Sequence, residues 1–162
     1  ARLAFLKGDY QIALAVSLER LAMVPPYTAQ AAPIHSDVGL YYLATGDVLR
    51  GLHHTTKCAE LAAKFDQERV LYYNMVNFAA IYRCQGLPAY YDNTVAELRK
   101  YADDKKETRM MAHLEDVELI TCGTKGDPGD PPPPPPPPQP TNATDVNAIT
   151  RDLPKYLVIV LP

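Results

Sequence analysis

Val38-Gly39-Leu40-Tyr41-Tyr42-Leu43-Ala44-Thr45-Gly46-Asp47 carries the pattern that decides the fold. A small residue, a Tyr three places later and a Gly-Asp turn four beyond that are what two closely packed antiparallel helices need. Gly39 lets a neighbouring helix approach. Tyr42 is expected to fill the gap one turn on, and Gly46 to take the left-handed backbone where the first helix ends. The same frame returns as Phe78-Ala79-Ala80-Ile81-Tyr82-Arg83-Cys84-Gln85-Gly86, and its turn half stands earlier at Gly8-Asp9-Tyr10 with Ala13. Gly8, Gly46 and Gly86 are 38 and 40 residues apart, a period that signals a helical solenoid. An ordinary helical bundle is the alternative that keeps the same helices.

Outward from that stretch the chain reads as helices with clear punctuation. Residues 1–7 are the end of a helix, and a second runs from Tyr10 to Met23 with Ile12, Val16, Leu18, Leu21 and Ala22 at mostly helical spacing. Pro25-Pro26 stops it, because proline lacks an amide donor and restricts the residue before it. Residues 27–34 are expected to be irregular, with Ser36 as N-cap of the helix that carries Val38 to Ala44. Asp47 to Lys64 is the next helix, and Asp66 opens another that runs to Gly86 and is apolar enough to be covered on more than one side. Pro88 suits the first turn of the following helix, to about Asp103. Residues 105–121 form a more polar helix with Met110, Met111, Leu114, Val117 and Ile120 as its buried stripe, a half repeat or cap.

Composition changes at Thr121, so the reading is an all-α helix-pair domain over 1–122 and a Pro-rich tail over 123–162. Pro131 to Pro138 are eight consecutive prolines, a polyproline II rod of about 25 Å at about 3.1 Å per residue. Leu157-Val158-Ile159-Val160-Leu161 is a short β-prone end that needs a partner or a groove.

Bulk properties exclude several classes. The net charge of -3, with acids and bases interspersed, offers no electrostatic footprint for direct nucleic-acid or membrane binding. No run of 18 apolar residues occurs. The chain opens at Ala1 without an initiator Met or signal-peptide layout and reads as an excised fragment. Cys58, Cys84 and Cys122 are odd in number and scattered, which favours reduced thiols inside a cell. Chemistry is sparse. His54 and Cys58 share a helix face but lack a second pair with metal-ligand spacing. Cys84 follows Arg83 without a base nearby in sequence, and His113 with Glu115 and Asp116 reads as a solvated face. Asn142-Ala143-Thr144 fits the glycosylation acceptor pattern, a short match that the expected thiols weigh against. No phosphate-cradling loop, Ser-His-Asp order or zinc signature is present. The expectation is a chain with no catalytic residues, no metal and no cofactor.

The repeat resembles the tetratricopeptide pattern, in which a large residue, Leu-Gly, Tyr, Ala, an aromatic and Pro recur at set offsets. One unit offers His35, Val38, Gly39, Tyr42, Gly51 and Thr55; the next offers Met75, Phe78, Ala79, Tyr82, Tyr91 and Val95; a partial unit offers Ala13, Ser17 and Pro25. Small residue and Tyr match well, second-helix positions depart, and the period exceeds the usual 34 by four to six residues. Ala31-Ala32-Pro33-Ile34-His35-Ser36-Asp37-Val38-Gly39-Leu40-Tyr41 and Asn77 to Gly86 are similar, more narrowly, to repeats of the tetratricopeptide subunit of the cohesin loader, the Mau/Scc family. This likeness covers about residues 4–100, and that family's chains are far longer and have no known polyproline tail. The resemblance implies a superhelix around an extended segment of the large, Nipped-B-type loader subunit, with a nuclear role in sister-chromatid cohesion.

In such a solenoid the first helix of each pair lines the concave face. By spacing, Ser36, Leu40 and Leu43 of one unit and Tyr73, Val76, Asn77, Ala80 and Arg83 of the next would face a partner there. Asn77 suits backbone amides and Arg83 a carboxylate, being polar residues on an apolar helix. Leu40, Leu43 and Val76 equally suit a core. The alternative partner is a polyproline-binding protein of the profilin or SH3 type, held in the cytoplasm through Pro131 to Pro138; that run equally suits an inert spacer.

Overall fold

Seven α-helices, with no strand among the described residues, follow the chain's own punctuation in a computed structural model that describes residues 1–118, 120 and 122. They are α1 (Arg2–Leu6), α2 (Tyr10–Ala22), α3 (Ala31–Ala44), α4 (Val48–Lys64), α5 (Glu68–Cys84), α6 (Pro88–Lys105) and α7 (Thr108–Glu118). The expectations for the polyproline run, the apolar end and the glycosylation triplet lie outside the described residues.

Local chemistry accounts for most boundaries. The Asp47 carboxylate accepts the Arg50 amide at 3.0 Å and caps α4. Pro88 occupies the first turn of α6, where its missing N–H is no loss. Pro33 explains a correction: α3 starts at Ala31, not after a Ser36 cap, because a proline at the third helical position removes a donor that has no partner within the helix anyway. Gly8, Gly46 and Gly86 hold φ of 80°, 86° and 70°, the left-handed turn that reverses the chain between helices. A second series, Tyr27, Asp66 and Lys106, holds φ of 65°, 51° and 57° at the alternate turns, stepping by 39 and 40 residues. The geometry thus repeats at both kinds of turn, although only one kind is marked by glycine.

Packing fixes the direction of neighbours. Ser36 of α3 meets the Cys58 thiol of α4, Gly39 lies against Thr55, and Leu43 against Gly51. As α3 ascends, α4 descends in equal steps, so the pair is antiparallel. A Cβ on Gly39 would sit 2.7 Å from Thr55 Oγ1 and 3.1 Å from the Thr55 amide nitrogen, and one on Gly51 would sit 2.6 Å from Leu43 Cδ2. Those two glycines set how closely α3 and α4 approach. Tyr72 stacks on Tyr101 at 3.7 Å and Tyr82 tilts on Tyr90 at 5.4 Å, which makes α5 and α6 antiparallel as well. Helices two apart run parallel: Gln67 donates to the Ala29 carbonyl and Asn77 to the Ser36 carbonyl, while Tyr73 reaches Glu107 and Arg83 reaches Val117.

The core runs through α3, α4 and α5, with Ile34, Val38, Tyr41, Leu43, Leu61, Met75, Val76 and Ile81 buried, and continues into Leu98, Met110, Leu114 and Val117. Tyr41, not Tyr42, is the tyrosine inside; Tyr42 is half-buried and stacks on His54. In α2 the expected stripe is misplaced. Ile12 and Val16 are 59% and 43% exposed, and Ala13, Leu14 and Ser17 are buried. Ala13 and Ser17 are buried and precede Gly51 and Thr55, also buried, by 38 residues each. No described helix is long and apolar enough to cross a membrane.

Candidate partner-binding cleft

A cleft of about 500 Å³ opens where the odd-numbered helices meet. Arg2 comes from α1, Pro33, Ser36 and Asp37 from α3, Arg69, Val70 and Tyr73 from α5, and Arg109, Ala112 and His113 from α7. Because α3, α5 and α7 run parallel, their N-terminal halves present equivalent positions side by side. Arg109 follows Arg69 by 40 residues, the same step that separates the turns at Asp66 and Lys106.

Charge in the cleft is organised from behind. Glu107 takes Arg69 in a two-point pair, Oε1 at 2.7 Å from Nε and Oε2 at 3.2 Å from Nη2, and also accepts a long contact from the Tyr73 hydroxyl at 3.4 Å. Asp116 pairs with Arg2, whose other terminal nitrogen reaches His113 Nδ1 at 3.1 Å. An arginine only donates, so His113 accepts at Nδ1 and is neutral. Burial first, and the Arg2 charge next, lower its pKa to about 4 against the opposing pull of Asp116. Asp37 is pushed above the usual carboxylate range by burial, although Arg20 lies 3.8 Å away. Arg109 has no ion-pair partner among the described residues. His113 and Asp116 therefore do not form the solvated face expected from sequence; they tie α7 to α1.

Of the eight residues read from sequence as partner-facing, Ser36 and Tyr73 line the cleft. Leu40, Leu43, Val76 and Ala80 are instead buried in the core, the outcome their apolar character equally allowed. Asn77 is fully buried, and its amide donates to the Ser36 carbonyl at 2.9 Å, joining α5 to α3. Asn74 does the same for α4 through the Thr55 carbonyl at 2.9 Å. A polar residue on an apolar helix here serves internal hydrogen bonding through its amide N–H, while the buried Oδ1 atoms of Asn74 and Asn77 have no partner among the described residues. Arg83 is likewise occupied, donating to the carbonyls of Val117, Glu118 and Ile120 at the open end of α7. Sequence reasoning missed Arg2, Arg69 and Arg109, although the 40-residue step between the last two was there to be found.

The thiols need a correction. Cys84 and Cys122 form a disulfide with Cα atoms 5.1 Å apart, and Cys58 is the free cysteine among the described residues. Their separation of 38 residues is one repeat step, which brings the end of α5 and the segment after α7 together. Cys58 is inert: burial pushes its thiol up to about 12 despite its bond to Ser36. His54 turns away from it toward His35, Nδ1 to Nδ1 at 2.9 Å, and burial lowers both imidazoles to about 4. No group of three His, Cys, Asp or Glu side chains able to hold a metal occurs among the described residues.

What the arrangement offers chemically is a set of oriented guanidinium and hydroxyl donors on parallel helices. No family model matches this chain, and no curated protein or solved structure matches it significantly.

Proposed function

We propose that this chain is a non-catalytic protein-interaction scaffold of the tetratricopeptide-like solenoid kind, which receives an extended segment of a partner in the cleft between α1, α3, α5 and α7. The observation that carries the reading is the parallel run of α3, α5 and α7, each contributing polar side chains to one cleft. Such a layer is what a stack of helix pairs presents on its inner side. Arg109 and Ala112 line it on its exposed side, so Arg109→Glu combined with Ala112→Arg should abolish partner capture while leaving the helical circular-dichroism spectrum unchanged. Cross-links from a captured partner that map away from these four helices would remove the groove reading.

The narrower proposal is the tetratricopeptide subunit of the cohesin loader, acting in the nucleus in sister-chromatid cohesion. It rests on the likeness at residues 31–41 and 77–86. Co-expression with the large loader subunit tests it: the two should co-purify, and a folded chain that ignores that subunit disposes of it. The eight prolines from Pro131 to Pro138 favour a second reading, a cytoplasmic adaptor whose tail recruits a polyproline-binding protein. Deleting residues 131–140 separates the two, since only the second loses its partner.

A further inference from the structure

We infer that the Cys84–Cys122 disulfide is a thiol-operated latch: oxidised, it holds α7 closed as one wall of the cleft, and reduced, it releases α7 while the other helices stay folded. What the cleft receives rests on the scaffold reading above; the latch rests on where α7 sits. Arg109, Ala112 and His113, three of the side chains that line the cleft, belong to α7. Opening that helix removes one side of the site and takes Asp116 and His113 away from Arg2.

The molecule is weakest where a latch needs it to be. α7 has 11 residues and buries Met110, Leu114 and Val117, and a helix of that length is marginal without tertiary support. It packs on α5 and α6, whereas the core around Val38, Tyr41, Leu43, Leu61 and Met75 lies in α3, α4 and α5. α7 can therefore open with that core intact, the local unfolding expected of an element with little buried area. What opposes opening sits at its two ends. Glu107 pairs with Arg69 at the start, and Arg83 with the disulfide fastens the finish. With the disulfide closed, an opened α7 is still a closed loop of about 17 residues between the end of α6 at Lys105 and Cys122. Removing that closure gives the open state chain entropy and favours opening on the order of a hundredfold.

The chemistry balances with a co-reactant of one class, a small-molecule thiol such as glutathione. Its thiolate attacks one cysteine sulfur, the Cys84–Cys122 bond breaks, and the other cysteine leaves as a thiolate that takes up a proton. A second thiol attacks the glutathione sulfur of the mixed disulfide, which frees the first cysteine. Two electrons pass to the cysteine pair, and two small thiols are joined as one disulfide. Cys84 and Cys122 are half-buried, so a small thiol reaches them. Cys58, the remaining cysteine, is buried with its thiol pushed up to about 12 and takes no part in exchange. Arg83, beside Cys84 in sequence, binds the carbonyls of Val117, Glu118 and Ile120, which keeps Cys122 near Cys84 for the bond to re-form.

The test uses the full chain under native conditions in oxidised and in reduced glutathione, beside the Cys84→Ser, Cys122→Ser double variant. Hydrogen exchange is read helix by helix, and thiol alkylation measures the reduced fraction. On reduction, and equally in the double variant, the amides of α7 should lose protection on the order of a hundredfold. In the reduced chain they should exchange at least about tenfold faster than those of α3 and α4, because α7 opens on its own. Protection of α7 should follow the alkylated fraction and return with oxidised glutathione. Unchanged protection of α7 on reduction overturns the latch. Equal protection of α7, α3 and α4 in the reduced chain overturns it too, since α7 then opens only when the whole domain unfolds. The scaffold reading fails separately, when cross-links from a partner captured by the oxidised chain lie outside the cleft.

Discussion

The contact between α3 and α4 and the contact between α5 and α7 are built on opposite principles. The first is held by shape. Gly39 and Gly51 leave no room for even one extra carbon, and Thr55, Leu43 and Val38 fill the seam. The second is held by directed bonds. Arg83 binds three carbonyls at the end of α7, Tyr73 and Arg69 bind Glu107 near its start, and the Cys84–Cys122 disulfide fastens the segment beyond it. The difference follows from what each helix brings. α4 has 17 residues and seven buried ones, whereas α7 has 11 residues and three, too short to be stable without tertiary support. A helix rich in contact area is fixed by fit, and a helix poor in it is fixed by clasps at its ends.

Breaking the clasp should therefore have the largest effect. The disulfide closes a segment of 38 residues, and chain-entropy reasoning puts its contribution at about 4 kcal/mol. Cys84→Ser with Cys122→Ser, or reduction of the native chain, should lower the urea midpoint accordingly. Hydrogen exchange should accelerate first in α7 and only later in α3 and α4. Unchanged stability with intact protection of α7 would show that Arg83 and the buried stripe suffice, and the contrast between the seams would weaken.

The shape-held seam is probed by a single carbon. Gly→Ala inside a helix normally gains about 1 kcal/mol in propensity. At Gly39 the new carbon would meet the backbone of α4 at 3.1 and 3.2 Å, which cannot rotate away as a side-chain tip can. Overpacking of this kind costs about 1–3 kcal/mol, so Gly39→Ala should be net destabilising by about 1 kcal/mol. Gly86→Ala is the control, since nothing lies within 4 Å of its Cβ. Its cost comes from the positive φ alone, about 1 kcal/mol, and should leave the α3–α4 seam unprotected by no more than any other site. A Gly39→Ala variant more stable than the native chain would mean that α4 slides freely, against the idea of a seam fixed by fit.

How much of this was legible in sequence depends on what carries the signal. Gly46, Gly86, Asp47, Pro88 and the Pro25-Pro26 stop have side chains, or lack them, in ways that act locally, and the helices fall where those residues place them. The left-handed turns at Tyr27 and Lys106 were not legible, because those residues favour no such backbone and adopt it under tertiary packing, whereas Asp66 is of a type that tolerates it. Asn77 and Arg83 stood out correctly as polar residues on an apolar helix. Sequence does not say whether such a residue faces a ligand or a neighbouring helix's carbonyl, and here both face the protein's own backbone. Three cysteines suggested thiols because pairing depends on a fold that spacing alone does not supply, even though 38 residues is one repeat step.

Acid sharpens the comparison further, since the α3–α4 seam and α7 each hold histidines kept neutral. His35 and His54 touch at the α3–α4 seam with His53, Lys57 and Glu60 around them, and His113 sits between α7 and α1 beside Arg2 and Asp116. All three are lowered from 6.5 to about 4, chiefly by burial. Above pH 6.5 both folded and unfolded chains leave them uncharged, and they contribute nothing. As pH falls from 6.5 toward 4 the unfolded chain takes up protons that the folded chain refuses, so stability drops across that window and levels off below it. Asp37, raised by burial, acts in the opposite sense at the acid end of the window and offsets part of the loss. Solvent screening of the half-buried His35 and His54 rings keeps their share of the loss between pH 7.5 and 5 well below the ~2 kcal/mol per ring that the full shifts imply. Urea midpoints at those two values measure it. His54→Gln should shrink the difference if the shape-held seam carries the larger share, because one substitution there relieves two rings that face each other at 2.9 Å. His113→Gln should shrink it less, since the Arg2–Asp116 pair remains to hold α7 against α1. A midpoint that rises on acidification would mean that one of these rings is protonated in the folded chain, and the neutral contact between His35 and His54 would have to be given up.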